Sequence, residues 1–511
     1  MREYSEIEKI RLAKMERLRE RGEEPYPTRV QRTHTTGEAV SAFEAAVAGG
    51  ANPHDSGVRA TLCGRLRSIR LMGKSIFAHI EDGAGKLQLY LRADAVGAER
   101  LKQFQTDYDL GDFIQAEGVM VRTKTGEVTL KVSSFRMLAK GLSPLPAAKE
   151  EVVDGARKVY SAFDNPEARY RERYADLAVN PEVRDLFRAR AKIVSSLRRF
   201  FDDHGFLEVE TPILQPLYGG AAAKPFSTYH NQLHQELYLR ISFELYLKRL
   251  LVGGIERVYE IGRDFRNEGI SFKNNPEFTQ LEFYMAYADY NDVMGLTEQM
   301  LATTCDEVLG RRLVQYGEYT LNFDPPWRRI TIRNAVLEQT GIDLGQHREA
   351  ASLYTAMAAK NIHADPNSTW GKLIDHLIGK YVEPTLIQPT FLLDYPRDIS
   401  PLAKSKPGDP NTVERFELYV AGFELCNAFT ELNDPVDQEA RFVEMGRAYA
   451  EDEEEKHPLD EDYLRAMRYG MPPNGGFGMG VDRLTMLLMN KSNIREVILF
   501  PHLRSKDKDE A

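Results

Sequence analysis

The segment from Glu256 to Tyr290 concentrates residue types that could bind a charged ligand. On both sides of the loop GISFKNNP, residue character alternates with a period of two, which is typical of two strands joined by a loop. One face therefore packs on a core, while the other offers charged and aromatic side chains. A solvated sheet face also fits, but the mixed charges and the long loop favour a binding site. The polar face of the second arm carries Phe278, Gln280, Glu282 and Tyr284.

A second polar face is predicted in residues 414–431, ERFELYVAGFELCNAFTE, which have a strand-like pattern. Asn427, Phe429 and Glu431 are spaced at i, i+2 and i+4. Because successive side chains of a strand point to opposite faces, these three share one face.

Two further carboxylates lie in the same segment, Glu417 and Glu424, seven residues apart. In an unbroken strand this spacing places them on opposite faces. A bulge or bend must intervene if both are to face one site, and Gly422 is the natural position for it.

The glycines of NGGFGMGVDRL are spaced as G-x-G-x-G, at Gly476, Gly478 and Gly480. This spacing differs from the dinucleotide-binding pattern G-x-G-x-x-G, and too few residues follow for a complete βαβ unit. A strand-to-helix turn that lets a flat ligand approach the backbone fits better, with Arg483 on the first helical turn. A tight packing turn with an exposed arginine is the alternative.

The composition limits the function classes. The chain has 511 residues, enough for two or three domains, and its net charge of −10 excludes a general basic field for nucleic-acid binding. Cys63, Cys305 and Cys426 lie far apart, without metal-ligand spacing, which favours structural thiols in a reducing compartment. The N-terminal 22 residues are charged throughout and predict a solvated helix rather than a signal peptide, with contact to a polyanion as an alternative. We expect a cytoplasmic protein without membrane contact.

Residues 58–138 read as short strands separated by turns that contain glycine or aspartate. Five strands with a helix-like stretch at 95–105 before the fourth follow the order of an OB-fold barrel. Such barrels bind single-stranded nucleic acid by stacking bases on aromatic side chains. The candidates are Phe77, His79, Gln88 and Glu127, although each fits an ordinary strand position too.

A linker with two prolines follows the barrel, and we predict a domain boundary near Ala147. An amphipathic helix over 186–203 then runs into GFLEVETPIL, a strand that carries Pro212. Proline is tolerated at a strand end or edge, where another chain can pair. This arrangement favours a homodimer interface, although a buried core helix fits the pattern equally well. Further along, the apolar-rich residues 238–254 predict a helix that carries Glu244, and residues 296–411 predict alternating helices and loops.

Together these motifs resemble the class II aminoacyl-tRNA synthetases. GFLEVETP, FRNEG with NPEFTQLEFY, and GFGMGVDRL resemble motifs 1, 2 and 3 of that class, at about 186–214, 256–287 and 475–490. RTHT, GGAAAKPF, ELYLKRL and ELCNAFTELNDP resemble the bacterial lysyl enzymes, in order along almost the whole chain. The resemblance implies an α+β fold, an OB barrel and a catalytic domain on an antiparallel sheet flanked by helices. The implied divisions are a helical extension at 1–57, the anticodon-binding barrel at 58–146, a linker and the start of the catalytic domain at 147–180, and the class II catalytic domain at 181–511.

The resemblance also implies the reaction and its participants. ATP activates L-lysine as an adenylate, and the lysyl group then passes to tRNA(Lys), with Mg²⁺ as the cofactor. Arg266 and Arg483 are the implied catalytic residues. ATP binding is assigned to Arg266, Glu268, Asn275, Phe278, Glu417, Glu424, Gly480 and Arg483, with Glu417 and Glu424 as metal ligands. Lysine binding is assigned to Gly220, Glu244, Glu282, Tyr284, Asn427, Phe429 and Glu431, and anticodon binding to Phe77, Gln88 and Glu127.

The sequence departs from the family pattern at a few positions and leaves alternatives open. Lys224, Asn274 and Gln280 replace a usual arginine, histidine and apolar residue, and Ser242-Phe243 precede Glu244 where Ala-Pro is usual. An aspartyl or asparaginyl enzyme, a paralogue that modifies another substrate, and a non-catalytic nucleic-acid-binding protein are the alternatives. The carboxylates at the predicted side-chain pocket favour lysine, because an aspartate side chain requires cationic partners.

Overall fold

The structure is a computed structural model that describes residues 3–146, 149–153, 156–160, 163–221, 223–448 and 459–504. The chain divides into two compact units, Met1–Asp164 and Asn165–Ala511. The predicted boundary residue Ala147 and the acidic run at 451–456 lie outside the described residues. The α+β class, the barrel and the antiparallel-rich sheet predicted from the sequence are confirmed.

The first unit is built around a closed barrel of five strands in the order β1-β2-β3-β5-β4. Apolar residues alternate along these strands, so the inward side chains form one buried core. Gly118 lies where β4 passes so close to β5 that a Cβ atom would overlap the carbonyl of Lys131. The strands are β1 (Arg59–Met72), β2 (Ser75–Glu81), β3 (Lys86–Arg92), β4 (Phe113–Arg122) and β5 (Val128–Ala139), followed by the hairpin of β6 (Lys149–Val153) and β7 (Ala156–Tyr160). The helices are α1 (Glu6–Glu20), α2 (Thr36–Ala48), α3 (Ala93–Val96) and α4 (Ala98–Asp107).

Helix α1 is held against the barrel by ion pairs. Arg17 and Arg21 donate to opposite oxygens of Asp107 at 2.7 and 2.6 Å, and Lys14 meets Asp109 at 2.6 Å. Burial alone would raise the pKa of Asp107, but hydrogen bonds from Arg21 and Arg17 outweigh burial and lower it. These basic side chains therefore serve the packing of the unit, which differs from the solvated helix expected from the sequence.

Replacing Asp107 by asparagine is expected to lower the free energy of unfolding of the first unit by about 2–3 kcal/mol. Three charge-assisted hydrogen bonds to a buried carboxylate, two from Arg17 and one from Arg21, are weakened by the change. Since the pKa of Asp107 is lowered by folding, its contribution is complete above about pH 4 and is lost as the pH falls through the folded pKa. Urea unfolding at pH 7 and pH 3 measures the difference. Glu16→Gln, on the exposed face of the same helix, is the control; equal effects at the two positions would contradict this account.

The second unit is built on a sheet with the strand order β16-β17-β19-β20-β21-β13-β12-β8, with β18 paired to β19. Adjacent strands are antiparallel except for β16 with β17 and β12 with β8. Its strands are β8 (Leu207–Glu208), β12 (Arg257–Phe265), β13 (Glu277–Ala286), β16 (Arg328–Thr331), β17 (Thr390–Pro396), β18 (Ser405–Lys406), β19 (Asp409–Val420), β20 (Phe423–Thr430) and β21 (Asn474–Gly480). Smaller sheets contain β9 (Leu214–Gln215), β10 (Ser227–His230), β11 (Gln235–Leu239), β14 (Leu313–Tyr316) and β15 (Tyr319–Asn322).

Helices cover one face of this sheet. Phe201 of α7 packs on Phe283 of β13 at 5.2 Å between ring centroids, and Phe283 stacks on Phe477 of β21 at 4.7 Å. The predicted apolar face of β13 is thus the core face, and the polar face is left for the site. The helices are α5 (Pro166–Arg171), α6 (Arg173–Val179), α7 (Pro181–Asp203), α8 (Glu244–Val252), α9 (Tyr290–Leu309), α10 (Ile332–Thr340), α11 (Ala350–Ala359), α12 (Trp370–Leu377), α13 (Pro435–Ala448), α14 (Glu461–Arg468), α15 (Val481–Leu488) and α16 (Ile494–Val497), with a π-helical turn (Ile378–Val382) and two 3₁₀ turns (Glu383–Thr385, Arg397–Ile399).

Three sequence expectations are corrected by the fold. Residues 238–254, expected as one helix, begin as the end of β11, and α8 starts only at Glu244. Residues 296–411, expected as helices and loops, also contain β14 to β18 and part of β19. Residues 414–431 form a hairpin rather than a single strand, and it turns at Ala421 and Gly422, whose φ angles are 54° and 80°. The bend expected at Gly422 is therefore a full reversal of the chain.

Candidate active site

A cavity of about 480 Å³ lies on the polar face of the sheet in the second unit. It brings together residues predicted from separate segments of the sequence. Among the described residues that were predicted to bind ATP or lysine, Glu417 is the one that does not line the cavity. The predicted residues in the lining are Gly220, Glu244, Arg266, Glu268, Asn275, Phe278, Glu282, Tyr284, Glu424, Asn427, Phe429, Glu431, Gly480 and Arg483.

Strand register explains the glycines of β21. This strand lies between β13 and β20, with Gly476 opposite Tyr284 on one side and Phe429 on the other. A Cβ atom at Gly476 would overlap the Glu431 carboxylate and come within 2.5 Å of the Tyr284 ring. Because Gly476, Gly478 and Gly480 have no side chains, they leave space over β21. Polar side chains of the neighbouring strands β13 and β20 can approach each other in this space.

Three buried glutamates form one end of the cavity: Glu244, Glu282 and Glu431. Glu282 accepts hydrogen bonds from Ser242 Oγ and Gln280 Nε2, each at 2.8 Å. Burial raises the pKa of Glu282, and repulsion by nearby carboxylates adds to the shift. Gln280 and Ser242, noted in the sequence only as departures from the family, thus hold a pocket carboxylate in place.

Lys248 was missed by the sequence analysis. Its side chain is fully buried behind the acidic end, where Nζ donates to Glu244 Oε1 at 2.5 Å and contacts a carboxylate oxygen of Glu431. The rings of Tyr284 and Phe429 lie 5.8 and 5.6 Å from Nζ. The spacing Glu244-x-x-x-Lys248 on a predicted helix was the available signal, but it most often marks a surface pair.

The opposite end of the cavity carries two arginines. The Arg266 guanidinium lies 5.2 Å from the centroid of the Phe278 ring. Arg483 Nη1 donates to the carbonyl and the carboxylate of Glu424 at 2.7 and 3.1 Å, and Nη2 donates to Asn274 Oδ1 at 3.4 Å. The departure at Asn274 therefore leaves a hydrogen-bond acceptor beside Arg483. A third arginine of the lining, Arg415, is paired with Glu417. The two guanidinium groups of Arg266 and Arg483 suit an anionic ligand such as a polyphosphate.

The two predicted metal ligands differ in their surroundings. Glu424 lines the cavity, whereas Glu417 is buried beneath it. Glu417 accepts hydrogen bonds from Arg415 at 2.6 Å, Tyr395 at 2.8 Å and Tyr419 at 2.6 Å. Burial raises the pKa of Glu417, and repulsion by Glu424 raises it further. Within the described residues, no group of three or more metal-binding side chains forms a protein-only metal site.

In the barrel, the predicted anticodon residues occupy neighbouring positions on one side of the sheet. Phe77 stacks on Tyr90, with ring centroids 4.6 Å apart. Gln88 Nε2 donates to Glu127 Oε2 at 2.6 Å, and His79 Nε2 lies 3.0 Å from the other oxygen of Glu127. Tyr90, which the sequence analysis missed, extends the aromatic surface.

Comparison with known proteins agrees with this architecture. Residues 165–504 match the family described as tRNA synthetases class II (D, K and N), and residues 60–138 match the OB-fold nucleic acid binding domain. Similar curated proteins include the lysine–tRNA ligases of Roseiflexus sp. (strain RS-1), 49% identical, and Carboxydothermus hydrogenoformans, 47% identical. Each alignment covers 99% of this chain, and 100% and 99% of the respective relative. A third, from Chloroflexus aurantiacus, is 49% identical over 99% of this chain and 100% of its own length.

The resemblance read from the motifs is therefore confirmed across both units. Among the described helices, none is long and apolar enough to cross a membrane. The chain belongs to the class II aminoacyl-tRNA synthetases that include the aspartyl, lysyl and asparaginyl enzymes, and within them to the lysine–tRNA ligases.

Proposed function

We propose that the protein uses ATP to activate L-lysine as lysyl-adenylate and then transfers the lysyl group to the 3′-terminal hydroxyl of tRNA(Lys). One observation carries this proposal: a single cavity has three buried glutamates at one end and two arginines at the other. The acidic end suits a substrate with ammonium groups, and the arginine end suits a triphosphate.

The first step is an in-line displacement. A carboxylate oxygen of lysine attacks the α-phosphorus of ATP, the new P–O bond forms, and pyrophosphate leaves. This step needs no protein nucleophile, so positioning and stabilisation of phosphate charge supply the catalysis. Arg266 is assigned to the α-phosphate and the lysine carboxylate, and Arg483 to the distal phosphates. Phe278 and Arg483 would enclose the adenine ring, with Glu268, Asn275 and Gly480 beside the nucleotide.

Lysine selection rests on the acidic end. Glu431 is assigned to the ε-ammonium, supported by Glu282 and Tyr284, while Glu244 and Gly220 receive the α-amino group. Burial raises the pKa of Glu431, so the ionised carboxylate gains most from a cationic partner. Asn427 and Phe429 complete the pocket, with the Phe429 ring along the aliphatic chain. An aspartate side chain would meet like charge here, which disfavours the aspartyl alternative.

We further propose that Glu417 and Glu424 hold Mg²⁺. Both offer the carboxylate oxygens that this ion prefers, and Mg²⁺ is commonly held by one or two carboxylates together with substrate phosphates. Glu424 lines the cavity, and the mutual repulsion of the two carboxylates would be relieved by a cation. When bound, the ion neutralises phosphate charge.

We also propose that the protein forms a homodimer. Strand β8 lies at the sheet edge, and the exposed Leu207 and Leu214 provide apolar surface near it. Light scattering that gives the mass of a single 58.2 kDa chain would contradict the dimer. We propose a cytoplasmic location, because the tRNA substrate and the three unpaired cysteines suit a reducing compartment.

Phe77→Ala is expected to raise the KM for tRNA in charging by about tenfold or more, because one stacked base contributes about 1–3 kcal/mol. Lysine-dependent ATP–pyrophosphate exchange without tRNA should stay unchanged, since Phe77 belongs to the barrel unit. Phe113→Ala is the matched control, because this exposed barrel aromatic has Arg65 over its ring, 4.2 Å from the centroid, and is not among the predicted anticodon residues. A loss of exchange equal to the loss of charging would count against the anticodon assignment.

The proposed function is tested by charging. Purified protein, ATP, Mg²⁺ and radiolabelled lysine are incubated with tRNA(Lys) transcripts, and acid-precipitable label is counted. Label that appears with tRNA(Lys), and disappears when the 3′-terminal hydroxyls are oxidised with periodate, supports the proposal. Label incorporated without tRNA, or only from another amino acid, would contradict it.

A further inference from the structure

We propose that Lys248 is a positioning residue for lysine selection, an internal cation that sets the charge of the substrate pocket and joins Glu244 to Glu431. This inference rests on the proposed function of the same cavity. It concerns a residue to which the motif analysis assigned no role.

The first observation is the position of the ammonium group. Lys248 is fully buried, and Nζ meets carboxylate oxygens of two residues from different elements, Glu244 of α8 and Glu431 just beyond β20. Because these two glutamates line the cavity while Lys248 lies behind its wall, Lys248 acts on a ligand through them. One cation thus fixes the receptor for the α-amino group relative to the receptor for the ε-ammonium.

The second observation is the charge count. Three cavity glutamates, Glu244, Glu282 and Glu431, would carry three negative charges, and Lys248 cancels one of them. Arg415 also acts on Glu244, but it is paired with Glu417 at 2.6 Å. Two negative charges are therefore left at the acidic end, which match the two ammonium groups of L-lysine. A pocket without Lys248 would hold one negative charge in excess, and a buried unpaired charge is costly.

The third observation is the direction of the electrostatic coupling. Burial alone would lower the pKa of Lys248, but Glu244 and Glu431 outweigh burial and raise it, so the group stays charged. Burial raises the pKa of both glutamates, while Lys248 opposes this shift. The other titratable or charged groups that act on this cluster are Glu282, Tyr284, Arg415 and Tyr463, and Asp264 acts on Glu282.

The test is Lys248→Met, which removes the charge and keeps a long apolar side chain. Without Lys248 the glutamates take up a proton at neutral pH and bind ammonium groups poorly. At pH 7 the KM for lysine in pyrophosphate exchange should rise about tenfold or more, the effect of shifting one carboxyl pKa by about one unit. The KM for ATP should change less than about twofold, because the arginine end is untouched.

The pH profile separates a charge effect from a structural one. As the pH rises from 7 to 8.5, the carboxyls of the variant ionise, so the ratio of variant to wild-type KM for lysine should fall several-fold. Taking the ratio cancels the titration of lysine itself. Arg249→Met is the matched control, since the adjacent arginine of the same helix pairs with Asp460 and Asp462 instead. Its ratio should stay near one at every pH.

Each outcome decides between the proposals. Absence of lysine-dependent exchange in the wild type overturns the proposed function, whereas a normal wild type with a pH-independent ratio in Lys248→Met overturns only the role of Lys248. Equal increases in the KM values for lysine and ATP also overturn it. Thermal unfolding checks both variants, and Lys248→Gln replaces the methionine variant if that protein does not fold. If neither variant folds, Lys248 is a residue of the fold alone and the proposal is wrong.

Discussion

Replacing Glu431 by glutamine is expected to raise the KM for lysine by about 100-fold or more, with little change in the KM for ATP. The glutamine removes the buried charge that we propose as the partner of the ε-ammonium, and truncating one member of a buried charge pair costs about 2–5 kcal/mol. Glu431 is 1% exposed, so water cannot replace the lost partner. Exchange kinetics with varied lysine and saturating ATP measure the change.

The control for Glu431 is Glu414→Gln. Glu414 lies on the adjacent strand β19 and accepts a hydrogen bond from Thr430 Oγ1 at 2.7 Å, outside the cavity lining. It tests whether any lost carboxylate in this sheet weakens lysine binding. A Glu431→Gln protein whose KM for lysine stays within about threefold of the wild type would refute the assignment of the ε-ammonium to this residue.

Replacing Arg266 by glutamine is expected to slow lysine-dependent exchange by about 10²–10³-fold in kcat, because one preorganised donor to the developing phosphate charge is lost. The guanidinium lines the cavity and packs over Phe278, so its direction is set before substrate binds. Steady-state exchange with both substrates saturating measures the effect.

Arg263→Gln is the control for Arg266. It lies on β12, three residues before Arg266, which follows the end of that strand. Its side chain is 40% exposed and contacts Glu277 rather than the cavity. Its kcat should stay close to that of the wild type. A comparable kcat for Arg266→Gln, with only the KM values changed, would show that Arg266 binds the ground state without stabilising the transition state.

The sequence was sufficient for features that follow from local pattern. Period-two alternation identified β12 and β13 and correctly separated Leu281 and Phe283, which face the core, from Glu282, which faces the cavity. The barrel followed from five short strands and one helix in the right order. These features can be predicted because burial of one face of a strand makes apolar and polar residues alternate along the sequence.

Features that depend on long-range packing could not be predicted from the sequence. Lys248 and Glu244 look like a surface pair along a helix, and nothing local in the sequence indicates that Glu431, from a distant segment, meets Lys248 in a fully buried environment. Likewise, Gln280 donates a hydrogen bond to Glu282, two residues further along the same strand face. The same carboxylate accepts a second hydrogen bond from Ser242, which belongs to a different segment of the chain. The three hydrogen bonds on Glu417 come from Tyr395, Arg415 and Tyr419, and Tyr395 lies on the neighbouring strand β17.

The most direct test of the account is ATP–pyrophosphate exchange with each standard amino acid in turn, without tRNA and with Mg²⁺ present. The account predicts that lysine alone drives exchange, because the acidic end of the cavity requires a second ammonium group on the side chain. Exchange driven by aspartate or asparagine would contradict the assignment of Glu282 and Glu431 while leaving the fold intact. Exchange with none of them would contradict the proposed activity itself.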